Sequence, residues 1–298
     1  MEIGEEKDTG TLSDLFDVNE EQIKKISEPM LQLSLALKKL KESINLNPFF
    51  KELEKFVNET KESEKLSQDQ FEKKYSGEMR MCEALGQVGW VISEHTNPQV
   101  NKEWYDLLSR HKEDEIISYF EGENGWILEN IFQNIESRYS ENPNQRYYEK
   151  SKYYLDQKDY MTSAMYLIPL IERRLNELIN FSEERLSYSK KYSREGFQSH
   201  MQKEFDKTNG FTAKRFLFLN VYPSLIEFSK RLFVDGEYSF KNGIEPPYIN
   251  RNWLLHGKSC RVTERYECIQ LFNALSVIEY IIYLRDRMQL IEDNRSMN

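Results

Sequence analysis

The sequence predicts an all-α protein, and three observations predict it. Glycine and proline are scarce, 12 and 8 in 298 residues, so the punctuation of a strand-and-turn chain is missing. Apolar residues recur at spacings of three and four and rarely alternate with polar ones. The 39% hydrophobic and 31% charged residues provide a core within a highly charged surface, which excludes collagen-like, disordered and membrane classes. The longest apolar stretches, residues 165–171 and 216–219, fall short of the roughly 18–20 residues a bilayer span requires.

The length suggests two domains, or one with an appendage. Residues 1–18 are acidic and poorly periodic, as in a loose tail; an acidic start is not that of a secretory signal, so a soluble cytoplasmic protein is expected. Ile23, Ile26, Met30, Leu33, Leu37, Leu40 and Ile44 form a heptad stripe that needs a partner surface, with Pro29 starting a second segment or kinking the first. Asn47 and Pro48 read as an N-cap and first helical residue. Residues 1–78 form an N-terminal helical region on this reading.

A middle helical region, 79–147, opens on residues 79–92, where Gly86 and Gly89 let the chain turn or pack closely. Trp104, Leu107, Leu108, Ile116, Ile117 and Phe120 continue at helical spacing, then Trp126, Ile127, Ile131, Phe132 and Ile135. Residues 141–145 read as a linker.

Residues 148–298 read as a helical bundle. Tyr153, Tyr154 and Tyr160 lead into an amphipathic helix through Ile179, kinked at Pro169. Residues 182–210 are polar. A second apolar helix spans Thr212–Phe233, split by Pro223, and Asp235–Tyr248 is a loop. A last helix runs from about Val262 to Met288, burying Cys268, Phe272, Leu275, Ile278 and Ile282.

Charge is asymmetric along the chain. The whole carries −9; residues 1–150 hold 31 acidic and 19 basic side chains, net −12, and residues 151–298 hold 19 and 22, net +3. The second half is therefore the part that can face a polyanion, because binding follows local field. Lys203, Lys207, Lys214, Arg215, Lys258, Arg261 and Arg265 are its candidate cations, each an ordinary solvated charge unless it clusters near His256.

Signatures of phosphate-loop ATPases, dinucleotide binders, zinc proteases and α/β-hydrolases are absent. Cys82, Cys260 and Cys268 are odd in number and lack CxxC spacing, so no disulfide framework is implied. His256, Cys260 and Cys268 lack a fourth ligand for zinc, and neither metal nor cofactor is expected. His95, His111 and His200 lie in no motif.

One cluster rises above background, residues 251–257, which read Arg-Asn-Trp-Leu-Leu-His-Gly. An imidazole titrating near neutrality and a forked, permanently charged guanidinium are the two groups needed to move a proton and hold a phosphate. Asn252 and His256, four apart, share a helix face, whereas Arg251 and His256 lie about 140° apart. The ordinary reading has Arg251 in an ion pair, His256 in a last helical turn and Gly257 as the C-cap. Tyr248 and Trp253 flank the cluster as candidate base-stacking rings, although a Trp so placed is more often a core residue.

The Arg-x4-His spacing, the helix pair around residues 153–172 and the His-Gly turn before a Thr-containing segment and long apolar helix resemble the HEPN superfamily of small helical bundles. The resemblance covers about residues 148–290, and more weakly 79–147, where Gly89–Ser93 is similar to an element upstream of such domains. It implies an acidic helical N-terminal region followed by a HEPN-like bundle acting as a metal-independent endoribonuclease, as a homodimer, in antiviral abortive infection or toxin–antitoxin systems. It implies that Arg251 binds the scissile phosphate, that His256 is the acid or base, and that Asn252 is the polar residue that follows the Arg. Glu172, on the helix that resembles the family's second one, would orient Arg251 or His256, or is an exposed helix carboxylate; by their charge and ring chemistry Lys258, Arg261 and Tyr248 are the candidate RNA contacts. An antitoxin or regulatory protein would be a further partner, and no membrane.

A different class of reading keeps the bundle without the catalysis: an adaptor binding RNA, a nucleotide or a protein, with the heptad stripe setting the oligomeric state. A third makes the acidic N-terminal region a restraint on the basic half.

Overall fold

Ser67 opens the first helix whose two ends are both seen. Its Oγ accepts the Gln70 N–H (3.4 Å) and the Gln70 side chain accepts the Ser67 N–H (3.1 Å), a reciprocal capping box. The structure, a computed structural model, describes residues 58–122, 125–139, 144–179, 194–208, 210–233 and 243–296. The heptad stripe, the Asn47-Pro48 cap and the acidic tail lie outside the described residues.

Of the described residues, 78% are helical and none is in a strand. The helices are α1 (Gln68–Lys74), α2 (Ser76–Gln87), α3 (Pro98–Ser109), α4 (Ile117–Glu121), α5 (Trp126–Tyr139), α6 (Gln145–Asp156), α7 (Tyr160–Ile179), α8 (Arg194–Lys207), α9 (Phe211–Lys214), α10 (Tyr222–Phe233), α11 (Arg251–Leu255) and α12 (Arg265–Ser296). Ser63–Tyr283 form one compact unit; among the described residues, 58–62 and the last turns of α12 from Leu284 fall outside it.

At the middle of the larger unit lies α12. Cys268, Phe272, Leu275, Ile278 and Ile282 are buried as expected, and so are Ile269, Leu271, Ala274, Val277 and Ile281, so this helix is apolar nearly all round. By length and hydropathy Arg265–Asp286 would cross a bilayer, but 83% of that window is packed inside the molecule.

Five polar side chains interrupt its apolar surface at every third position: Glu267, Gln270, Asn273, Ser276 and Glu279, all buried. Buried polar groups must be paired, and four of them pin other elements. Gln270 Nε2 donates to Val88 O (3.0 Å) and Asn273 Nδ2 to Val91 O (2.7 Å), which fixes the extended segment after α2. Glu267 accepts from Ile249 N–H (3.2 Å) and Arg261, and Glu279 from Tyr139 Oη and Arg174.

The glycines of 79–92 act as expected. A Cβ on Gly86 would lie 2.2 Å from Ser224 O, so α2 and α10 cross in close contact there, and Gly89 turns at φ +98°. The expected split at Pro223 takes another form: α9 runs through a π-helical stretch, Arg215–Val221, directly into α10. Proline cannot donate to the carbonyl four residues back and its ring crowds it; the wider turn bonds Tyr222 N–H to Leu217 O, and Ser224 Oγ serves Asn220 O and Val221 O. In the polar stretch 182–210, α8 is a helix. Met201 and Phe205, four apart, are buried on one side of it, with Phe205 against Phe71 and Phe218.

Candidate functional site

The residues of the Arg-x4-His cluster are set by a cap that spacing did not single out. Asn250, 4% exposed and extended at φ −125°, ψ 133°, accepts the N–H groups of Asn252 (3.0 Å) and Trp253 (3.4 Å). An Asn side chain in this position satisfies donors that a helix start leaves open. Its Nδ2 reaches Arg231 O at 3.5 Å, tying the helix start to α10. The sequence signal was present, an Asn directly before the motif.

Trp253 and Leu254 turn inward and anchor α11. The indole is core. The helix then ends on His256, whose N–H bonds Asn252 O (3.2 Å), and Gly257 takes φ +66° with Lys258 N–H on Trp253 O (3.0 Å). This is a left-handed glycine stop, and the side chain of His256 emerges into solvent.

Arg251 points to α7. Its Nε stands 3.3 Å from Glu172 Oε2, and its Nη1 donates to Asn252 Oδ1 at 3.0 Å. Glu172 and Asn252 therefore both orient the guanidinium, which keeps 26% of its side chain exposed. Arg251 opens α11 and His256 closes it, about 7.5 Å apart along the axis.

The other candidate residues divide. Lys258 is exposed beside His256. Arg261 gives both contacts of one nitrogen to Glu267 (2.8 Å each), a carboxylate only 2% exposed. Tyr248 lies under the Arg231 guanidinium at 4.4 Å; burial lowers the pKa of Arg231, and Glu267 works against that. Glu245 ties the loop before the motif to the turn after it, accepting from Ser259 Oγ (2.5 Å) and Cys260 N–H (2.9 Å).

Of the remaining candidate cations, Lys203 and Lys207 are exposed on α8, and three are occupied elsewhere. Arg215 pairs with Glu78, Arg265 with Glu121, and Lys214 is buried over the Phe205 ring at 4.1 Å. Among the described residues no three His, Cys, Asp or Glu side chains assemble as a metal site. Burial pushes the Cys268 thiol up to about 12, and it donates to Tyr160 O at 3.2 Å.

What the arrangement offers chemically is one fixed cation and one solvent-facing imidazole on a short, rigidly capped helix. Compared with protein-family models, curated proteins and solved structures, the chain matches none.

Proposed function

We propose that the chain is a metal-independent endoribonuclease of HEPN type, acting as a homodimer in the cytoplasm. The observation that carries the reading is the pairing, on one capped five-residue helix, of an Arg251 guanidinium held by Glu172 and Asn252 with an exposed His256. RNA supplies its own nucleophile. A base takes the proton of the 2′-OH, the oxygen attacks the adjacent phosphorus, and the bond to the 5′-oxygen breaks as an acid protonates that oxygen. The products are a 2′,3′-cyclic phosphate and a 5′-hydroxyl.

Arg251 stabilises charge on the phosphate, and His256 transfers the proton. One imidazole cannot be acid and base in the same step, so two copies across a dimer axis supply both. Lys258 beside His256 suits a polyanion. Toxicity to the producing cell, held back by an antitoxin or regulatory protein, fits such an activity.

The test is cleavage of single-stranded RNA by the purified chain in the presence of chelator. Cleavage that survives EDTA and disappears in Arg251→Ala and His256→Ala, with the helical circular dichroism unchanged, supports the reading. Full activity in both variants overturns it.

The Glu172–Arg251 pair favours one second reading, an adaptor in which Arg251 is a structural ion pair. Under it the purified chain binds RNA, a nucleotide or a protein and cuts nothing.

A further inference from the structure

Helix α6 carries a feature that the Arg-x4-His site does not use. Tyr148, Ser151 and Leu155 are buried and define its inner side. Next to them round the helix, Arg146, Tyr147, Lys150, Tyr153 and Tyr154 fall within an arc of about 120°, at 100° per residue, that begins about 40° from Ser151. The two acids of the helix body, Glu149 and Asp156, lie outside that arc. One face of α6 is thus tyrosine and cation with no carboxylate of its own.

The tyrosines are continuous with one from α7. Tyr153 meets Tyr154 at 5.3 Å between ring centroids, Tyr154 stacks on Tyr166 at 5.9 Å and 7°, and Tyr166 meets Tyr147 edge-on at 5.8 Å. The row is exposed at both ends, Tyr153 at 54% and Tyr147 at 46%. Arg146 and Lys150 are exposed and have no ion pair among the described residues. By contrast Lys152, on the other side of the helix, is neutralised by Glu136 at 2.7 Å.

Large rings held in the open, next to unneutralised cations, are costly to leave in water and suit a ligand with flat apolar faces and a negative backbone. We propose that the Tyr147–Tyr166–Tyr154–Tyr153 row, with Arg146 and Lys150, is a binding track for single-stranded RNA. Bases stack on the outer faces of Tyr153 and Tyr147, and Arg146 and Lys150 hold phosphates. Sequence is not read here, because every base has a π-face. The same helix α7 that carries Tyr166 carries Glu172, so the track and the Arg251 site share one element. The choice of RNA as ligand rests on the ribonuclease reading.

The test uses the full chain with His256→Ala, so that the probe survives. Its binding to a fluorescent oligouridylate of about a dozen nucleotides is followed by anisotropy at several salt concentrations. The added pair Tyr147→Ala and Tyr153→Ala should weaken binding about tenfold or more, and Tyr147→Phe with Tyr153→Phe should leave it within about twofold, since only the ring is needed. Arg146→Gln with Lys150→Gln should reduce the slope of log affinity against log salt by about 1.4, at roughly 0.7 per phosphate on a single strand.

No binding by the parent, or affinity unchanged by the alanine pair, overturns the track. So does a dimer, seen by sedimentation, that the alanine pair dissociates while RNA affinity stays the same; the face is then an interface between copies. Binding with these losses in a chain that, as wild type, never cuts RNA sinks the nuclease and keeps the track. Cleavage with affinity unmoved by the tyrosines does the reverse.

Discussion

Arg251 Nε and Glu172 Oε2 stand 3.3 Å apart, joining the first residue of α11 to α7. The two side chains are 26% and 21% exposed, and a pair so open to water contributes at most about 1 kcal/mol to stability. Its consequence is orientation. Glu172→Gln should lower the melting temperature by no more than about 4 °C and reduce RNA cleavage by about tenfold, the rate effect of about 1.4 kcal/mol at the transition state. Assays of both quantities on one preparation check it; an activity equal to the parent makes Glu172 an ordinary helix carboxylate.

Asn250 should be as sensitive as the motif itself. Asn250→Ala removes the acceptor of the Asn252 and Trp253 N–H groups at a cost of about 1 kcal/mol, and α11 has only five residues to lose. The expected result is a melting temperature lower by about 2–4 °C and impaired cleavage. Asn250→Asp, which keeps the acceptor but loses the Nδ2 donor to Arg231 O, should restore both only in part.

How much of this was legible depended on the kind of signal. The apolar stripe of α12 and the glycines at 86 and 89 are local patterns with a single geometric meaning, and the structure places them as expected. The polar row on the same helix has no such local meaning. Glu267, Gln270, Asn273 and Glu279 look like surface residues until their partners, Val88, Val91, Tyr139, Arg174, Ile249 and Arg261, are brought to them by the fold. Helix α8 carries a weak signal, since its stretch is polar overall and Met201 and Phe205 are the buried apolar side chains among its described ones. In the candidate site the identities of Arg251 and His256 were visible in the sequence, whereas Arg261 looked like a free cation and is held by a buried carboxylate that only the fold reveals.

Gly86 is a packing requirement. A methyl group there would meet Ser224 O at 2.2 Å and Ser224 Cα at 2.9 Å, both backbone atoms of α10 that cannot swing aside. Gly86→Ala should therefore destabilise by about 1–3 kcal/mol or more, although alanine is the better helix former. Gly77→Ala, in the same helix with nothing within 4 Å, is the control and should be neutral or stabilising in denaturant titration.

Glu279 is 1% exposed and accepts from Tyr139 Oη (2.7 Å), Arg174 Nε (2.5 Å) and Arg174 Nη2 (2.8 Å). Glu279→Ala leaves Arg174, 13% exposed, with Glu177 as its one counter-charge among the described residues, at a cost of about 3 kcal/mol. Removing the charges together, Glu279→Leu with Arg174→Met, should recover most of that loss. Thermal unfolding of the single and double variants decides it, and a double variant no better than the single one would show that the pair holds the core by more than charge balance.

Glu94 should make the fold less stable as pH rises. Its Oε1 accepts from Asn134 Nδ2 at 2.8 Å and lies 3.7 Å from His95 Nε2, while Oε2 is buried with no hydrogen-bond partner. Burial is the largest influence and raises the carboxyl above its usual range; His95, Arg138 and the Asn134 amide oppose it without prevailing. The native state thus keeps a proton that the unfolded chain has released. Wherever the folded form binds more protons, unfolding free energy falls with pH, so stability is lost from about pH 4.3, the unfolded glutamate value, up through the raised native one. Glu94→Gln keeps an acceptor for Asn134 and cannot ionise. It should match the parent at acidic pH and exceed it near neutrality, in urea titrations run at each pH. A glutamine variant that is weaker at neutral pH would mean that Arg138 and His95 hold Glu94 as a carboxylate after all.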